Sequence, residues 1–237
     1  MKFFDMDSPF MQMLNTITDL IILNLLAFIC CIPIFTIGAS MTALHYSVLK
    51  IVRNEEGYIV RGFFKSFKQN FRQATIIWII YLFAFVLIIG DLFILNNSTI
   101  AYASEIQIVV MAAGILVLLG FVYVFPMLAK FDNTVFRTIK NAFGLSIIRF
   151  PRTLLIIVVN CVPLLLVYFQ VKLAPLVFLF GISVPALVTA CLYSRTFQKF
   201  EDQIREANAV KTEEQDGEEV QEVEEIEEAE GTESDNV

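Results

Sequence analysis

Polar positions cut this chain into five long apolar stretches, Leu20 to Leu44, Ala74 to Gly90, Ile106 to Ala129, Thr153 to Val171 and Leu173 to Ser194, none of which carries Asp, Glu, Lys or Arg. A helix crosses the hydrocarbon core of a bilayer with about 20 mostly apolar residues. Each stretch reaches that length once Asp91 to Leu95 is allowed to extend the second. The last two are separated by Lys172 alone, and together they far exceed one bilayer thickness, so the chain must reverse there, and Pro175 marks the place. The pattern predicts an all-α membrane protein, a bundle of about five transmembrane helices at residues 20–44, 74–95, 106–129, 153–171 and 173–194.

The first stretch admits a second reading. Asp7-Ser8-Pro9 is a good helix start, with a capping side chain followed by proline in the first turn. A helix from Pro9 would end at Cys31, ahead of Pro33, and a second would begin near Thr36 or Ser40 and lie along the surface or re-enter. In that register Gln12, Asn15, Thr16 and Asp19 share one face. Asn54-Glu55-Glu56-Gly57 closes the segment in either case.

Lys and Arg in the connections set an orientation, because cytoplasmic loops retain them. The first connection holds six (Lys50, Arg53, Arg61, Lys65, Lys68, Arg72), the second none, the third five (Lys130, Arg137, Lys140, Arg149, Arg152) and the fourth only Lys172. Arg195, Lys199 and Arg205 follow the last stretch. Five crossings then give an N-out, C-in topology.

Composition sharpens this picture in one respect. Hydrophobic residues make up 57% of the 237, and the mean hydropathy is +0.70, so lipid must solvate much of the chain. Of the 24 acidic residues 13 fall between Glu213 and Asp235, and residues 1 to 210 hold 16 Lys and Arg against 11 Asp and Glu. The net charge of −7 therefore averages a basic membrane domain, residues 1–205, and an acidic cytoplasmic tail, residues 206–237. The tail has no aromatic residue and dense like charge, a composition expected to stay disordered. The early aspartates and single lysine of the N-terminus do not read as a cleaved signal peptide.

No catalytic constellation is legible. His45 is the sole histidine, which leaves no His-based metal cluster, and no Ser-His-Asp arrangement is legible around it; Cys30, Cys31, Cys161 and Cys191 lie in apolar runs without metal spacing, and no glycine-rich phosphate loop is present. The expectation is a protein that is not an enzyme and holds no cofactor or metal. Nucleic-acid binding has no support either, since the basic residues border spans and answer to orientation and lipid headgroups.

Two sets of residues carry what chemistry there is. Gln12, Asn15, Asp19 and Asp91 are candidate polar intramembrane positions: a buried charge there costs on the order of 2.5–3.5 kcal/mol and persists where it is solvated, paired or functional. Interfacial anchoring competes with an ion or substrate site. In the first basic connection, Phe64, Phe67 and Phe71 fall at i, i+3 and i+7, with Lys65, Lys68 and Arg72 one residue on. Such a segment suits an interfacial helix with its rings in the acyl boundary, or a docking face for a partner subunit.

MDSPF at 6–10, TIGAS at 36–40, TALHY at 42–46, EEGY at 55–58, FFKSFKQNFRQA at 63–74 and PRTLL at 151–155 occur in order. Together they resemble the YesL-like integral membrane family over residues 4 to 200. The resemblance implies a bacterial plasma-membrane protein, often encoded near carbohydrate-uptake transporters and acting as their accessory or assembly partner, with the lipid bilayer and sugar-transporter subunits as partners. His45 and the acidic tail depart from the family pattern. A small carrier or channel, and a sensor or scaffold acting through the tail, are the alternative expectations.

Overall fold

The computed structural model describes residues 9–55, 57–97, 102–206 and 209. By internal contacts it divides into two units, Met1–Leu192 and Tyr193–Val237. Among the described residues the regular structure is helical, with no strand.

The first unit opens with α1 (Pro9–Cys31) and α2 (Ile37–Val52), joined by the short 3-10 turn Ile34–Thr36. The predicted single span 20–44 is therefore not one helix. Pro33 has no N–H to give and disfavours helix at Ile32, and the Thr36 hydroxyl donates to the Cys30 and Pro33 carbonyls, 2.5 and 2.6 Å away, satisfying groups the break exposes. The helix start at Pro9 and the end at Cys31 follow the second reading of this segment.

The first basic connection is likewise not a separate element. It forms the opening turns of α3 (Ile59–Asn96), an unbroken helix of 38 residues, about 57 Å long at 1.5 Å per residue, when the hydrocarbon core measures about 30 Å. After it come α4 (Ala103–Lys130), α5 (Val135–Ile148) and α6 (Phe150–Phe169). The reversal expected near Pro175 falls at Gln170 to Leu173, and Pro175 sits in the first turn of α7 (Ala174–Phe180). A last helix, α8 (Ser183–Glu206), meets the Val171–Phe180 segment at an angle of 57°. The fifth predicted span is thus a broken helix. Five helices are long and apolar enough to cross a membrane, or six with the bent pair taken as one span.

Small residues pack α2 against its neighbours. Gly38, Ala39, Ser40, Thr42 and Ala43 are buried on α2; Ser40 donates to the Ala27 carbonyl of α1 at 3.1 Å, and Gly38 lets α3 approach closely. A Cβ on Gly38 would fall 2.5 Å from the Ala74 carbonyl oxygen. Trp78 donates its indole N–H to the Ile34 carbonyl at 2.8 Å, and Gly62 lies 3.7 Å from the Tyr46 ring by the same measure. The two helices are therefore antiparallel, with α2 beside the first half of α3. α3 and α4 are also antiparallel. Gly114 faces Ile88 and Gly120 faces Tyr81, while Trp78, Tyr81, Phe85, Phe121 and Phe125 form one aromatic cluster with centroids 5.4–6.4 Å apart.

The α3–α4 hairpin has two unlike halves. Leu119 and Gly120 begin a run on α4 buried as far as Ala129 apart from the half-buried Phe121 and Val122, whereas Ser104 to Leu118 is exposed or half-buried throughout. One half is enclosed by protein. The other, with α3 beyond Tyr81, presents apolar side chains outward, a surface that requires lipid.

In the second unit the described residues to Glu206 complete α8, with the Tyr193 and Phe197 rings 4.6 Å apart. Of the acidic tail, only Glu206 and Ala209 belong to the described residues, so its predicted disorder lies outside them.

Candidate functional site

Apolar and small residues at three- and four-residue spacing, Phe63, Ser66, Ala74 and Ile77, turn one face of the first half of α3 inward, where all four are buried. Phe63 is the anchor of the aromatic row: its ring stacks on Phe67 at 6.3 Å, and Phe67 meets Phe71 at 5.6 Å. Of the three predicted rings, Phe67 and Phe71 are half-buried on the flank of α3, and Phe64 stands out with 44% of its surface exposed. Lys65, Lys68 and Arg72 are exposed beside them. The structure thus presents the predicted basic-aromatic row on the outside of α3, and puts a ring that the sequence pattern missed underneath it.

On the inner side of the same turns lies a polar cavity of about 370 Å³. α3 lines it with Ser66, Gln69, Asn70 and Gln73, α2 with Tyr46, and the end of α4 and its following turn with Leu128, Ala129, Lys130 and Asp132. Two carboxamides are fixed in orientation. Asn70 donates from its NH₂ group to the Ser66 carbonyl at 3.1 Å and the Ser66 hydroxyl at 3.3 Å. Gln73 donates to the Asn133 carbonyl, tying α3 to the α4–α5 turn. Lys50 stands over the Tyr46 ring at 5.4 Å, within cation–π range. The only sequence hint of this cavity was the spacing of Ser66, Asn70 and Gln73, which put three polar side chains on a helix face otherwise built for packing.

The other predicted positions are not brought together. Gln12 and Asn15 are exposed on α1, Asp19 is half-buried on the same helix, and Asp91 is exposed near the far end of α3. Among the described residues no group of three or more His, Cys, Asp or Glu could hold a metal ion. Cys30 and Cys31 are half-buried, Cys161 and Cys191 exposed, and all four are free thiols.

A second polar feature escaped sequence reading. Fully buried Asn24 on α1 clasps the break between α7 and α8: its NH₂ donates to the Phe178 carbonyl at 2.7 Å, and its oxygen accepts the Ile182 and Ser183 N–H groups at 2.9 and 3.0 Å. One side chain therefore satisfies three backbone groups where the helix is interrupted in an apolar setting. Phe28 stacks on Phe178 at 5.2 Å one turn away. Beside the break is a mainly apolar cavity of about 320 Å³ whose lining includes His45, Asn160, Pro163 and Gly181. His45, singled out in the sequence as a departure, thus faces a space shared by α2 and α6.

The comparisons with known proteins bear on the first part of the chain. A family model described as a protein of unknown function, DUF624, matches residues 20–92. That region runs from the middle of α1 through α2 to the far end of α3, and includes Asn24, the small buried residues of α2, and the α3 residues of the polar cavity. No curated protein matches the chain, and neither does any solved structure.

Proposed function

We propose that this chain is a multi-pass protein of the bacterial plasma membrane that acts, without catalysis of its own, as an accessory or assembly partner of a carbohydrate-uptake transporter. The observation that carries the reading is the row of Phe64, Lys65, Lys68 and Arg72, exposed along a helix that extends well beyond the length a bilayer needs. Phe64 meets the buried Phe63 ring edge-on at 5.6 Å, which seats the row on the core. An exposed aromatic flanked by cations is suited to a polar partner surface with an apolar pocket at its centre. The resemblance to YesL-like proteins, with their association with sugar transporters, supports the same reading, while the family matched over residues 20–92 is one of unknown function.

The test is copurification of the tagged chain from its native membrane in mild detergent, quantified against an equally abundant unrelated membrane protein. Enrichment of sugar-transporter subunits that falls at least tenfold in Phe64→Ala, with the variant inserted at normal level, is the expected result. Recovery of the chain alone in a detergent that preserves the transporter would end this reading.

One observation favours a small carrier instead. An intramembrane helix break beside a cavity holding His45 and Asn160 is the kind of place where carriers bind solutes. Flux into reconstituted vesicles that disappears in Asn160→Leu would favour it. Gln12, Asn15 and Asp19 share α1, as that reading needs, while Asp91 lies apart on α3.

A further inference from the structure

The polar cavity on the inner side of α3 has an unbalanced hydrogen-bond inventory. A carboxamide offers two donor hydrogens and a carbonyl oxygen. In Asn70 and Gln73 the NH₂ group is turned onto backbone carbonyls, and neither carbonyl oxygen accepts a hydrogen bond from any described residue. Asp132, which lines the same space, is in no ion pair among the described residues. Two amide oxygens and a carboxylate thus border one cavity with no hydrogen bond from a described residue, open to solvent or to a ligand. Ser66 and Tyr46 add hydroxyls that can either give or take a hydrogen bond, while Leu128 and Ala129 supply an apolar wall.

The charges around the cavity narrow the class of ligand. Lys130 in the lining and Lys50 on the Tyr46 ring make it a poor home for an organic cation. A free anion would face the Asp132 carboxylate and the two amide oxygens. A single carboxylate is too few for a metal ion, and no metal-holding group is found among the described residues. A neutral molecule rich in hydroxyl hydrogens meets all these constraints, because each hydroxyl donates to one oxygen and can accept from Ser66 or Tyr46. The volume of about 370 Å³ lies at the small end of ligand pockets, suited to one or two sugar rings.

We infer that this cavity is a binding site for a small neutral polyhydroxylated solute, a sugar or polyol, with Asn70, Gln73 and Asp132 as its acceptors. It is a property of the isolated chain and stands apart from docking to a transporter.

The experiment is titration calorimetry on the full chain in lipid nanodiscs. Glucose, maltose and myo-inositol are the probes; spermidine and inorganic phosphate are the cationic and anionic controls. Saturable binding of at least one neutral probe is expected, weakened about tenfold or more in Asn70→Leu and in Asp132→Asn. Asp132 is exposed and holds no hydrogen bond to any described residue, so Asp132→Asn should keep the wild-type unfolding temperature, and it separates ligand recognition from folding. Absence of binding by all three neutral probes would overturn the inference. So would binding of spermidine or phosphate alone, or sugar binding left unchanged in both variants. Because no transporter is present in the assay, failure here leaves the copurification result untouched, and the converse also holds.

Discussion

At the scale of single residues, Asn24 carries the sharpest expectation. Its three hydrogen bonds to the α7–α8 break involve backbone groups with no helical partner to fall back on. Polar contacts between membrane helices average about 0.6 kcal/mol each, and a buried group left unmade costs about 1–3 kcal/mol. Asn24→Leu, alike in branching but unable to bond, should therefore lower stability by roughly 2 kcal/mol or more, read as a fall in unfolding temperature in detergent. A loss indistinguishable from that of a lipid-facing substitution would show that the clasp contributes nothing. Glycine gives a paired expectation. Gly38→Ala puts a methyl group 2.5 Å from the Ala74 carbonyl oxygen and 2.7 Å from the Trp78 Cβ, and backbone cannot yield cheaply, so about 1–3 kcal/mol of stability should be lost. Gly90→Ala meets nothing within 4 Å and replaces the freest residue in a helix interior, for a gain of up to about 1 kcal/mol. Opposite signs from the same chemical change would confirm that the α2–α3 approach, and not glycine content, decides the matter.

At the scale of elements, α3 is where sequence and structure part company most usefully. Charge counting stops a span at Arg72, because hydropathy sees the lysines and not the backbone. Nothing between Ile59 and Asn96 breaks a helix, however, and Gly62 and Gly90 are the only weak helix formers of that kind in it. The element therefore continues through the change of solvent. Single cysteines placed along α3, in a background lacking the four native thiols, should report that change directly. Positions 61, 65, 68 and 72 should react with a membrane-impermeant maleimide, and positions 79, 83, 86 and 89 should not, with the transition within about one turn of Ala74. Labelling of the first set only in inverted vesicles is expected from the positive-inside rule; protection of that set from both sides would instead lay this segment in the acyl boundary. The break at Pro33 was legible, since proline acts locally. The break at Gly181 was not, because what stabilises it is Asn24, about 160 residues away in sequence. The polar cavity was hidden for the same reason: Gln73 and Asn133 meet only once α4 has returned alongside α3. Helix type and approximate extent depend on local periodicity and could be read in advance; partners across the bundle could not.

For the molecule as a whole, the division of the α3–α4 hairpin into an enclosed and an exposed half implies an uneven distribution of stability. Between helices in a bilayer the hydrophobic effect gives no net drive, because lipid tails are as apolar as leucine. A side chain that faces lipid can be shortened at almost no expense, since acyl chains fill the gap. One that faces protein leaves a cavity that lipid cannot enter. Leu128, 3% exposed in the enclosed half, and Ile115, 57% exposed in the other, lie on the same helix and are of nearly equal size. Leu128→Ala should cost about 2–5 kcal/mol, the range for a large-to-small change in a packed core, and Ile115→Ala less than about 0.5 kcal/mol, as for surface sites generally. Unfolding measured in detergent and again in bicelles would compare the two. If Ile115→Ala proved as damaging as Leu128→Ala in the native membrane yet harmless in purified protein, the exposed half would have to be covered there by protein instead of lipid. That outcome would move the docking surface from the basic row of α3 to the apolar hairpin, and it is the comparison on which the choice between those two faces turns.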